Sequence, residues 1–477
     1  MTLVRYLLSW LSRYLVLRSW KRQKNSLLRD VALWGVEVNA QGRMSIDGMD
    51  ALTLVEQHGS PLLVVNKAQL MRDAQAVLDA FREGPRGSKV LYSYKTNCVP
   101  GILREIHRVG IGAEVISPYE LWLAEQLGVP GDMIVYNGVG KTEESLRSAV
   151  ERNILAINMD SIDEIERIHR VARGLRRKAN VGIRLGFVPK SQFGFNVVSG
   201  QAMEACRKIV ALSDWLDLQC IHFNVTSNAR RASTHLRYVE EAIKFMREVK
   251  SSTGVSVPYL DIGGGFGVET TKNMSGIEYA MYRTFDCLPS PPSPEDYQPL
   301  SSFFCEVIEA VKTSCGRYNL ELPGMIIEPG RLVTSKSEVL LARVNAIKPR
   351  GGGGKFAMTD AGRLSVTFPC DFEYHEVFVA DRPRHDLDSL YHIMGRVCTS
   401  ADWMFKNKAL PELEPGDVLA VMDAGAYFSS YSSNFAFPRP EIVMVSDGKS
   451  LSIRKRESFE HLTAMDTTMG GTPCPSL

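Results

Sequence analysis

Residues 89–97 read KVLYSYKTN, an apolar run that leads into a lysine, Lys95. The alternation of its side chains predicts a short strand. Similar β-branched runs recur from about residue 60 to 330, each followed by a turn and an amphipathic stretch of about 10 to 15 residues. This alternation is typical of βα units and predicts a (β/α)8 barrel. The predicted strands are Pro61–Asn66, Lys89–Tyr94, Ala113–Ile116, Met133–Tyr136, Ala156–Met159, Asn180–Leu185, Leu218–Asn224, Tyr259–Ile262 and Gly324–Glu328.

The chain changes character after about residue 335, where short strands follow one another with few helix signals. Residues 31–48 also alternate like a hairpin, so we expect both ends of the chain to build one β-domain. Loops are predicted over 289–299, which is rich in proline, and at the hairpin tip 351–354. The predicted domains are a basic helix over 1–30, the barrel over 60–333, a β-domain from 31–59 and 334–460, and a flexible tail over 461–477. The strands predicted for the β-domain are Val339–Ile347, Phe356–Thr359, Glu376–Val379, Val418–Val421 and Glu441–Val445.

The composition is that of a folded protein of several domains. The 477 residues are 44% hydrophobic and 23% charged, which excludes wholesale disorder. The formal net charge of +2 gives no field for steering onto nucleic acid, so no nucleic-acid partner is expected. None of the nine cysteines forms a CxxC pair, which favours reduced thiols in a cytoplasmic protein without a cysteine metal site. No apolar run is long enough to predict a membrane-spanning helix.

The first 29 residues form a local exception to the charge balance. They contain seven basic residues and no acidic one. Apolar and aromatic residues recur among them at steps of three and four, which predicts a helix with one apolar face. Three interpretations stay open: a helix packed on this protein or a partner, an interfacial membrane helix, and an Arg-rich transit segment. The apolar residues of this pattern are Leu3, Leu7, Trp10, Leu11, Tyr14, Leu17 and Trp20.

Three segments carry residues suited to chemistry at the ends of predicted barrel strands. Lys95 ends one of them, where its amine is suited to covalent catalysis. Residues 259–267 read YLDIGGGFG, and the glycines Gly263, Gly264 and Gly265 would let backbone N–H groups approach a phosphate. Strand 324–328 runs into Glu328-Pro-Gly330-Arg331, an anion and a cation three residues apart. Taken singly, these segments also fit a solvated lysine, a tight turn and a surface ion pair.

Together the three segments resemble those of the fold-type III, pyridoxal-phosphate-dependent decarboxylases, the group that includes diaminopimelate, ornithine and arginine decarboxylases. The resemblance covers about residues 31–455. It implies that Lys95 binds pyridoxal 5'-phosphate covalently and that Glu328 pairs with its pyridine nitrogen. It also implies that Gly330, Arg331 and the glycine loop lie at the phosphate. A carboxylate keeps the ring nitrogen protonated, which favours decarboxylation over racemisation.

Further motifs extend the resemblance. Cys398 in GRVC matches a G-x-x-C motif whose thiol comes from the neighbouring subunit, which implies a homodimer with shared active sites. Tyr427 in Gly-Ala-Tyr matches a phosphate-binding tyrosine, and His222 matches the histidine that stacks on the cofactor ring. Other matches to inner positions of the family's site are Arg184, Glu114 and Glu120.

The sequence departs from the family pattern at positions that contact phosphate or substrate. Asn224 and Val225 stand where the family has glycine and serine after the histidine, so a phosphate contact is lost or comes from Thr226 or Ser227. Thr399 stands where an acid normally binds the distal ammonium of a diamino acid, and Asp402 follows three residues later. A neutral hydroxyl gives up a charge-assisted hydrogen bond worth about 1.5 to 3 kcal/mol.

A third departure concerns a distal carboxylate. Phe368-Pro369 stands where diaminopimelate decarboxylases carry an Arg-Pro pair, with Arg363 elsewhere in the loop. Thr399, Asp402 and Phe368 are therefore the predicted substrate contacts. The expected substrate is an amino acid whose far end is neutral, unusual or tethered to a carrier. The expected function is its decarboxylation, and the alternatives are a catalytically inactive binding protein and a racemase or epimerase.

Overall fold

The computed structural model describes residues 2–187, 191–351 and 354–467. Part of the predicted hairpin tip, at 352–353, and most of the predicted tail, from 468, lie outside these residues. The chain divides into two compact units. The barrel unit comprises Met71–Gly267 and Tyr297–Val333, and the sheet unit comprises Met1–Leu70, Val268–Asp296 and Thr334–Leu477.

Strands are numbered in chain order. Before the barrel the chain forms β1 (Val36–Val38), β2 (Met44–Ile46), β3 (Met49–Asp50) and β4 (Leu62–Asn66). The middle of the chain forms β5 (Lys89–Ser93), β6 (Gly112–Val115), β7 (Ile134–Tyr136), β8 (Ala156–Met159), β9 (Ala179–Gly186), β10 (Phe195–Asn196), β11 (Leu216–His222), β12 (Tyr259–Asp261), β13 (Lys272–Asn273) and β14 (Gly324–Ile327). The last part forms β15 (Glu338–Pro349), β16 (Lys355–Thr359), β17 (Glu373–Tyr374), β18 (Val377–Val379), β19 (Ser389–Met394), β20 (Trp403–Leu410), β21 (Val418–Val421), β22 (Glu441–Ser446) and β23 (Lys449–Arg454).

Helices separate most of the early strands. Those up to residue 211 are α1 (Thr2–Lys24), α2 (Ala51–His58), α3 (Lys67–Phe81), α4 (Pro100–Arg108), α5 (Pro118–Gln126), α6 (Glu143–Glu151), α7 (Ile162–Leu175) and α8 (Gln201–Ala211). The later ones are α9 (Ser233–Thr253), α10 (Gly276–Phe285), α11 (Leu300–Tyr318), α12 (Arg331–Thr334), α13 (Phe428–Tyr431) and α14 (Phe459–Thr463). Among the described helices, none combines the length and the hydropathy that crossing a bilayer requires.

Eight parallel strands close into a barrel. Their order is β9-β11-β12-β14-β5-β6-β7-β8, and β8 pairs with β9 to complete the ring. The predicted (β/α)8 barrel is therefore confirmed. Its wall is apolar, with Leu91, Val135 and Ile326 fully buried in one cluster. Local signals set the crossover helices: Ser117 accepts a hydrogen bond at the start of α5, and Ser161 does the same for α7.

The assignment of strand 61–66 to the barrel is wrong. This strand, β4, forms in the sheet unit, where it pairs antiparallel with β15 and parallel with β22. All five of its residues are buried, because it is an inner strand with neighbours on both sides. A continuous apolar run of this kind fits the interior of either sheet, so periodicity does not distinguish them.

The sheet unit combines both ends of the chain, as predicted, but its boundaries differ. Residues 268–296, predicted for the barrel, belong to this unit. The hairpin predicted over 31–48 forms its own three-stranded sheet of β1, β2 and β3. The predicted strands after residue 335 form, and four more accompany them, which the sequence does not predict: β17, β19, β20 and β23. Polar residues such as Lys406 and Asn407 interrupt the apolar pattern of β20, although Asn407 is buried.

Candidate active site

Lys95 lies at the mouth of the barrel. It belongs to a short 3-10 turn, Tyr94–Thr96, which follows β5 directly. Its Nζ is 3.8 Å from Oε2 of Glu114, a carboxylate that is fully buried at the end of β6. The Ser93 hydroxyl donates a hydrogen bond to the same Glu114 oxygen at 2.5 Å. The turn thus presents a partly exposed amine beside a buried carboxylate, as the position of a lysine at a strand end predicts.

The segment that carries Glu328 adjoins this turn. The Ser93 N–H donates to the Pro329 carbonyl at 3.0 Å. A side chain at Gly330 would place its Cβ 2.1 Å from Oγ1 of Thr96, so only glycine lets the two segments approach this closely. Arg331, which is buried, begins α12 at the next position. Parallel neighbours β5 and β14 therefore bring Lys95, Glu328 and Arg331 to one edge of the barrel.

A chain of amides fixes the two glutamates. Nδ2 of Asn137 donates to Oε1 of Glu328 at 2.5 Å and to Oε1 of Glu114 at 3.1 Å. Asn158 in turn donates to Oδ1 of Asn137 at 2.8 Å. Because these side chains are buried, their hydrogen bonds fix the direction in which each carboxylate points.

His222 ends β11 within the same cluster. Its Nε2 is 3.8 Å from Oε2 of Glu328, and the ring is 1% exposed. Within the described part of the chain neither ring nitrogen has a hydrogen-bond partner. Burial, followed by the positive charges of Arg184 and Lys95, holds the pKa of His222 well below its usual range. The imidazole is therefore neutral, with both polar atoms available to a ligand.

Asp261, the last residue of β12, brings a third carboxyl group to the cluster. One ring nitrogen of His222 and one carboxylate oxygen each of Asp261 and Glu328 lie within 4.8 Å of one another. Burial first, and then the charge of Glu114, raises the pKa of Glu328 to about 7. Burial, and then Glu328, raises the pKa of Asp261 well above its usual range. The adjacent buried carboxyl groups of Asp261 and Glu328 therefore retain a proton as long as no cation is bound beside them.

The glycine loop lies tightly against the same strand ends. A Cβ on Gly264 would be 2.2 Å from the Glu328 carbonyl oxygen, and one on Gly265 would be 2.0 Å from that of Thr226. Gly263 and Gly265 adopt φ of 67° and 78°, which glycine tolerates best. The Gly263 N–H donates to Oδ1 of Asp261 at 2.9 Å.

Arg184 and Glu120 complete the barrel positions named from the sequence. The Arg184 guanidinium lies over the Phe193 ring at 4.6 Å, and it faces the loop that follows β9. Oε2 of Glu120 accepts the Ile116 N–H at 2.7 Å. Burial raises the pKa of Glu120 to about 7, while that hydrogen bond opposes the rise.

The remaining named residues belong to the sheet unit. Cys398 and Thr399 are exposed in the loop before β20, and Tyr427 caps α13 with φ of 71°. Phe368 is half-buried, with its ring 5.2 Å from that of Tyr431. Asp402 is buried, and its oxygens accept the backbone N–H groups of Leu364 and Val397 at 3.1 and 2.8 Å. These bonds favour a structural role for Asp402 over the predicted contact with substrate.

Sequence reasoning missed four polar members of the barrel cluster. They share one signal, since each lies at or near the carboxyl end of a predicted barrel strand, where polar residues are expected to serve a site. Their polar side chains interrupt otherwise apolar runs. The missed residues are Ser93, Asn137, Asn158 and Asp261.

The barrel cluster fits pyridoxal phosphate. An amine for its aldehyde lies beside a carboxylate, and a buried imidazole retains two unpaired nitrogens. Burial raises the pKa of Glu328 against the charge of Lys95, and a protonated ring nitrogen beside this carboxylate would favour its ionised form. The glycine loop leaves no room for side chains where backbone N–H groups are needed for a phosphate.

Known proteins resemble the chain over nearly its whole length. The diaminopimelate decarboxylase of Methanothermobacter thermautotrophicus is 30% identical over 437 residues, which cover 90% of this chain and 96% of that protein. A crystal structure of diaminopimelate decarboxylase from Methanocaldococcus jannaschii with L-lysine aligns with a TM-score of 0.78 at 29% identity, covering 94% of this chain and 99% of that one. The lysine/ornithine decarboxylase of Vibrio vulnificus with cadaverine shares the fold, with a TM-score of 0.68 at 21% identity over 83% of this chain and 95% of that one.

The family described as "Pyridoxal-dependent decarboxylase, pyridoxal binding domain" matches residues 67–335. This match contains every barrel residue of the cluster, from Ser93 to Arg331. Together with the relatives and the closed barrel, this match shows the family. The chain belongs to the pyridoxal-dependent decarboxylases and is an amino-acid decarboxylase, that is, a carboxy-lyase.

Proposed function

We propose that the chain binds pyridoxal phosphate through Lys95 and releases CO2 from an α-amino acid whose far end is neutral, unusual or tethered to a carrier. The single observation that carries the cofactor site is the distance of 3.8 Å between Lys95 Nζ and the buried carboxylate of Glu114. The bound cofactor supplies an electron sink for the electron pair that CO2 leaves behind. All remaining tasks fall to side chains of the protein.

Glu328 holds a proton at the ring nitrogen of the cofactor. A cation beside this carboxylate favours its ionised form, which burial alone disfavours. Asn137 keeps the carboxylate aimed, because its amide also holds Glu114. Glu114 exchanges a proton with the Lys95 amine, which must be neutral to act as a nucleophile. His222, neutral and without hydrogen-bond partners in the described chain, offers its ring face to the cofactor.

We propose that Cys398 protonates the α-carbon in a homodimer, as the family resemblance implies. Its exposure supports this assignment, because a thiol that serves a neighbouring subunit has to lie at the surface of its own chain. Tyr427 and Arg331 are the proposed phosphate contacts besides the glycine loop. The cytoplasmic location expected from the cysteine content also stays a prediction.

The substrate proposal rests on three side chains of the sheet unit. Thr399 offers a neutral hydroxyl where a diamino acid requires an acid, and Asp402 is saturated by backbone N–H groups. The Arg363 guanidinium is already held by Asp371 at 2.9 Å and by the Ala401 carbonyl at 3.2 Å. We therefore assign neither Asp402 nor Arg363 to the far end of a substrate. The relatives named diaminopimelate decarboxylases thus differ from this chain in the proposed substrate.

A substrate panel tests the proposal directly. The holoprotein is incubated with diaminopimelate, lysine, ornithine, arginine, neutral amino acids and carrier-bound amino acids, and CO2 release is measured for each. We expect the highest kcat/KM for a substrate with an uncharged or tethered far end. The Lys95→Ala protein, tested in parallel, measures the background.

Two results would contradict different parts of the proposal. Preferred turnover of diaminopimelate would refute the substrate class while leaving the site intact. Racemisation or binding without CO2 release, by a protein that carries the cofactor, would refute the reaction itself.

A further inference from the structure

Helix α1 packs on the sheet unit through its polar face. The Ser19 hydroxyl donates to the Leu288 carbonyl at 2.8 Å, and the Gln23 amide donates to the Asn407 carbonyl at 3.1 Å. Ser19 and Gln23 are only 4% and 2% exposed. The Ser12 hydroxyl, two turns earlier on the same face, donates to the Phe285 carbonyl at 3.4 Å. Trp20 adds an indole N–H that donates to the Leu387 carbonyl at 3.0 Å, so the inward face of α1 is held largely by polar contacts.

The apolar residues of α1 lie on the opposite side. Leu11 is 37% exposed, Tyr14 is 49% exposed and Leu17 is 59% exposed. They follow one another at steps of three, which places them along one strip of the helix surface. The sequence has further apolar residues upstream at Leu3, Leu7 and Trp10. Leu11, Tyr14 and Leu17 therefore present apolar surface to solvent, whereas Leu15, Val16 and Trp20 are half-buried. Exposed apolar surface of this kind costs free energy unless another surface covers it.

Cations accompany the exposed strip. Arg13, Arg18, Lys21 and Lys24 are exposed. Residues 1–29 carry seven basic residues and no acidic one, whereas the whole chain has a net charge of only +2. The excess of basic over acidic residues is therefore concentrated in this segment, whereas the two types nearly balance over the whole chain.

We propose that α1 lies on the surface of an anionic lipid bilayer as an interfacial helix. Its apolar strip enters the boundary between headgroups and acyl chains, while Arg and Lys side chains extend to lipid phosphates. A contact between this face and α1 of a second copy is disfavoured, because it would bring two basic surfaces together. Exposed Tyr14 with neighbouring basic residues is typical of the membrane interface. The helix does not meet the requirements for crossing the bilayer.

The test uses the full-length holoprotein and sedimentation with vesicles. One set contains phosphatidylcholine alone, and the other contains added phosphatidylglycerol. We expect binding to the anionic set, weakening as salt is raised. Leu17→Glu and Lys21→Glu should each lower the partition coefficient roughly tenfold or more. Lys244→Glu is the matched control, because it reverses one exposed charge on α9 of the barrel unit and should leave vesicle binding unchanged.

The readout is separate from catalysis, and each possible result decides the question. CO2 release in the absence of vesicles should be equal for the Leu17→Glu, Lys21→Glu and native proteins, which excludes misfolding. Failure of the native protein to bind anionic vesicles would overturn the proposal. A native mass in ultracentrifugation that falls with Leu17→Glu would also overturn it, in favour of contact between copies. Equal binding of native and Lys21→Glu protein to both vesicle sets would overturn the electrostatic part.

Discussion

Glu114 and Glu328 accept hydrogen bonds from one and the same amide nitrogen, Nδ2 of Asn137, at 3.1 and 2.5 Å. One glutamate lies beside the Lys95 amine and the other beside His222. A single asparagine thus couples the orientation of the carboxylate at the amine to that of the carboxylate at the ring site. The coupling spans the barrel mouth, since Glu114 lies on β6, Asn137 follows β7 and Glu328 follows β14.

Asn137→Ala should lower kcat about tenfold to a hundredfold, because two hydrogen bonds to carboxylates are lost and each is worth about 1.5 to 3 kcal/mol. Steady-state CO2 release measures the change, and the absorbance of the bound cofactor checks its environment. Asn180→Ala is the matched control, since this asparagine donates to the Ile154 carbonyl near the amino-terminal end of β9. Equal kcat for the two variants would refute the positioning role of Asn137.

The contribution of Glu328 to the stability of the cofactor-free protein should fall as pH rises from about 4.5 to about 7. Burial raises the pKa of Glu328 from 4.5 to about 7, so the folded state binds more protons than the unfolded state in this window. The contribution of Glu328 is fully present below pH 4.5 and is lost as pH passes 7, with a magnitude on the order of 3 kcal/mol. Urea unfolding of the native and Glu328→Gln proteins at several pH values measures it. The prediction fails if both proteins have the same pH dependence.

Gly264→Ala should destabilise the protein by about 1 to 3 kcal/mol, because its Cβ would lie 2.2 Å from the Glu328 carbonyl oxygen. It should also weaken cofactor binding, measured by titration of the cofactor-free protein. Gly316→Ala provides the comparison: this glycine lies in α11 with no atom near its Cβ position, so alanine should stabilise by up to about 1 kcal/mol. Similar unfolding midpoints for the two variants would contradict the close packing of the loop.

Mixed dimers should recover activity if Cys398 serves the neighbouring subunit. Lys95→Ala and Cys398→Ala proteins, each inactive alone, are unfolded together and refolded as a mixture. Random pairing gives half mixed dimers with one intact site each, so about a quarter of native activity should return. Absence of any recovery, with dimers present by light scattering, would show that both groups act within one chain.

Thr399→Asp should raise the preference for a cationic far end. The new carboxylate restores a charge-assisted hydrogen bond, so the kcat/KM for lysine relative to a neutral amino acid should rise about tenfold or more. Ser400→Asp adds the same charge at the adjacent exposed residue and serves as the control. Equal shifts in both variants would indicate a general charge effect rather than a contact at residue 399.

Much of the fold follows from the sequence, because buried parallel strands leave a strong local signal. Strand 156–159 forms with its predicted bounds, and Lys95 follows its strand as expected. The sequence alone does not predict the partners of strand 61–66, since a fully buried strand has the same pattern in either sheet. The place of Asp261 and Asn137 in the site is not predictable from the sequence, because hydrogen bonds between distant strand ends leave no periodic pattern. The sequence predicts the apolar strip of α1, but periodicity does not tell which face of a helix packs inward.

The position of β4 also bears on how the protein is made. This strand pairs with residues 338–341 and 441–445, which leave the ribosome long after residue 66. During synthesis the apolar segment Leu-Leu-Val-Val at 62–65 stays unpaired while the barrel sequence emerges, because β15 and β22 have not yet been made. We therefore expect a fragment that ends before residue 338 to aggregate through this unpaired segment.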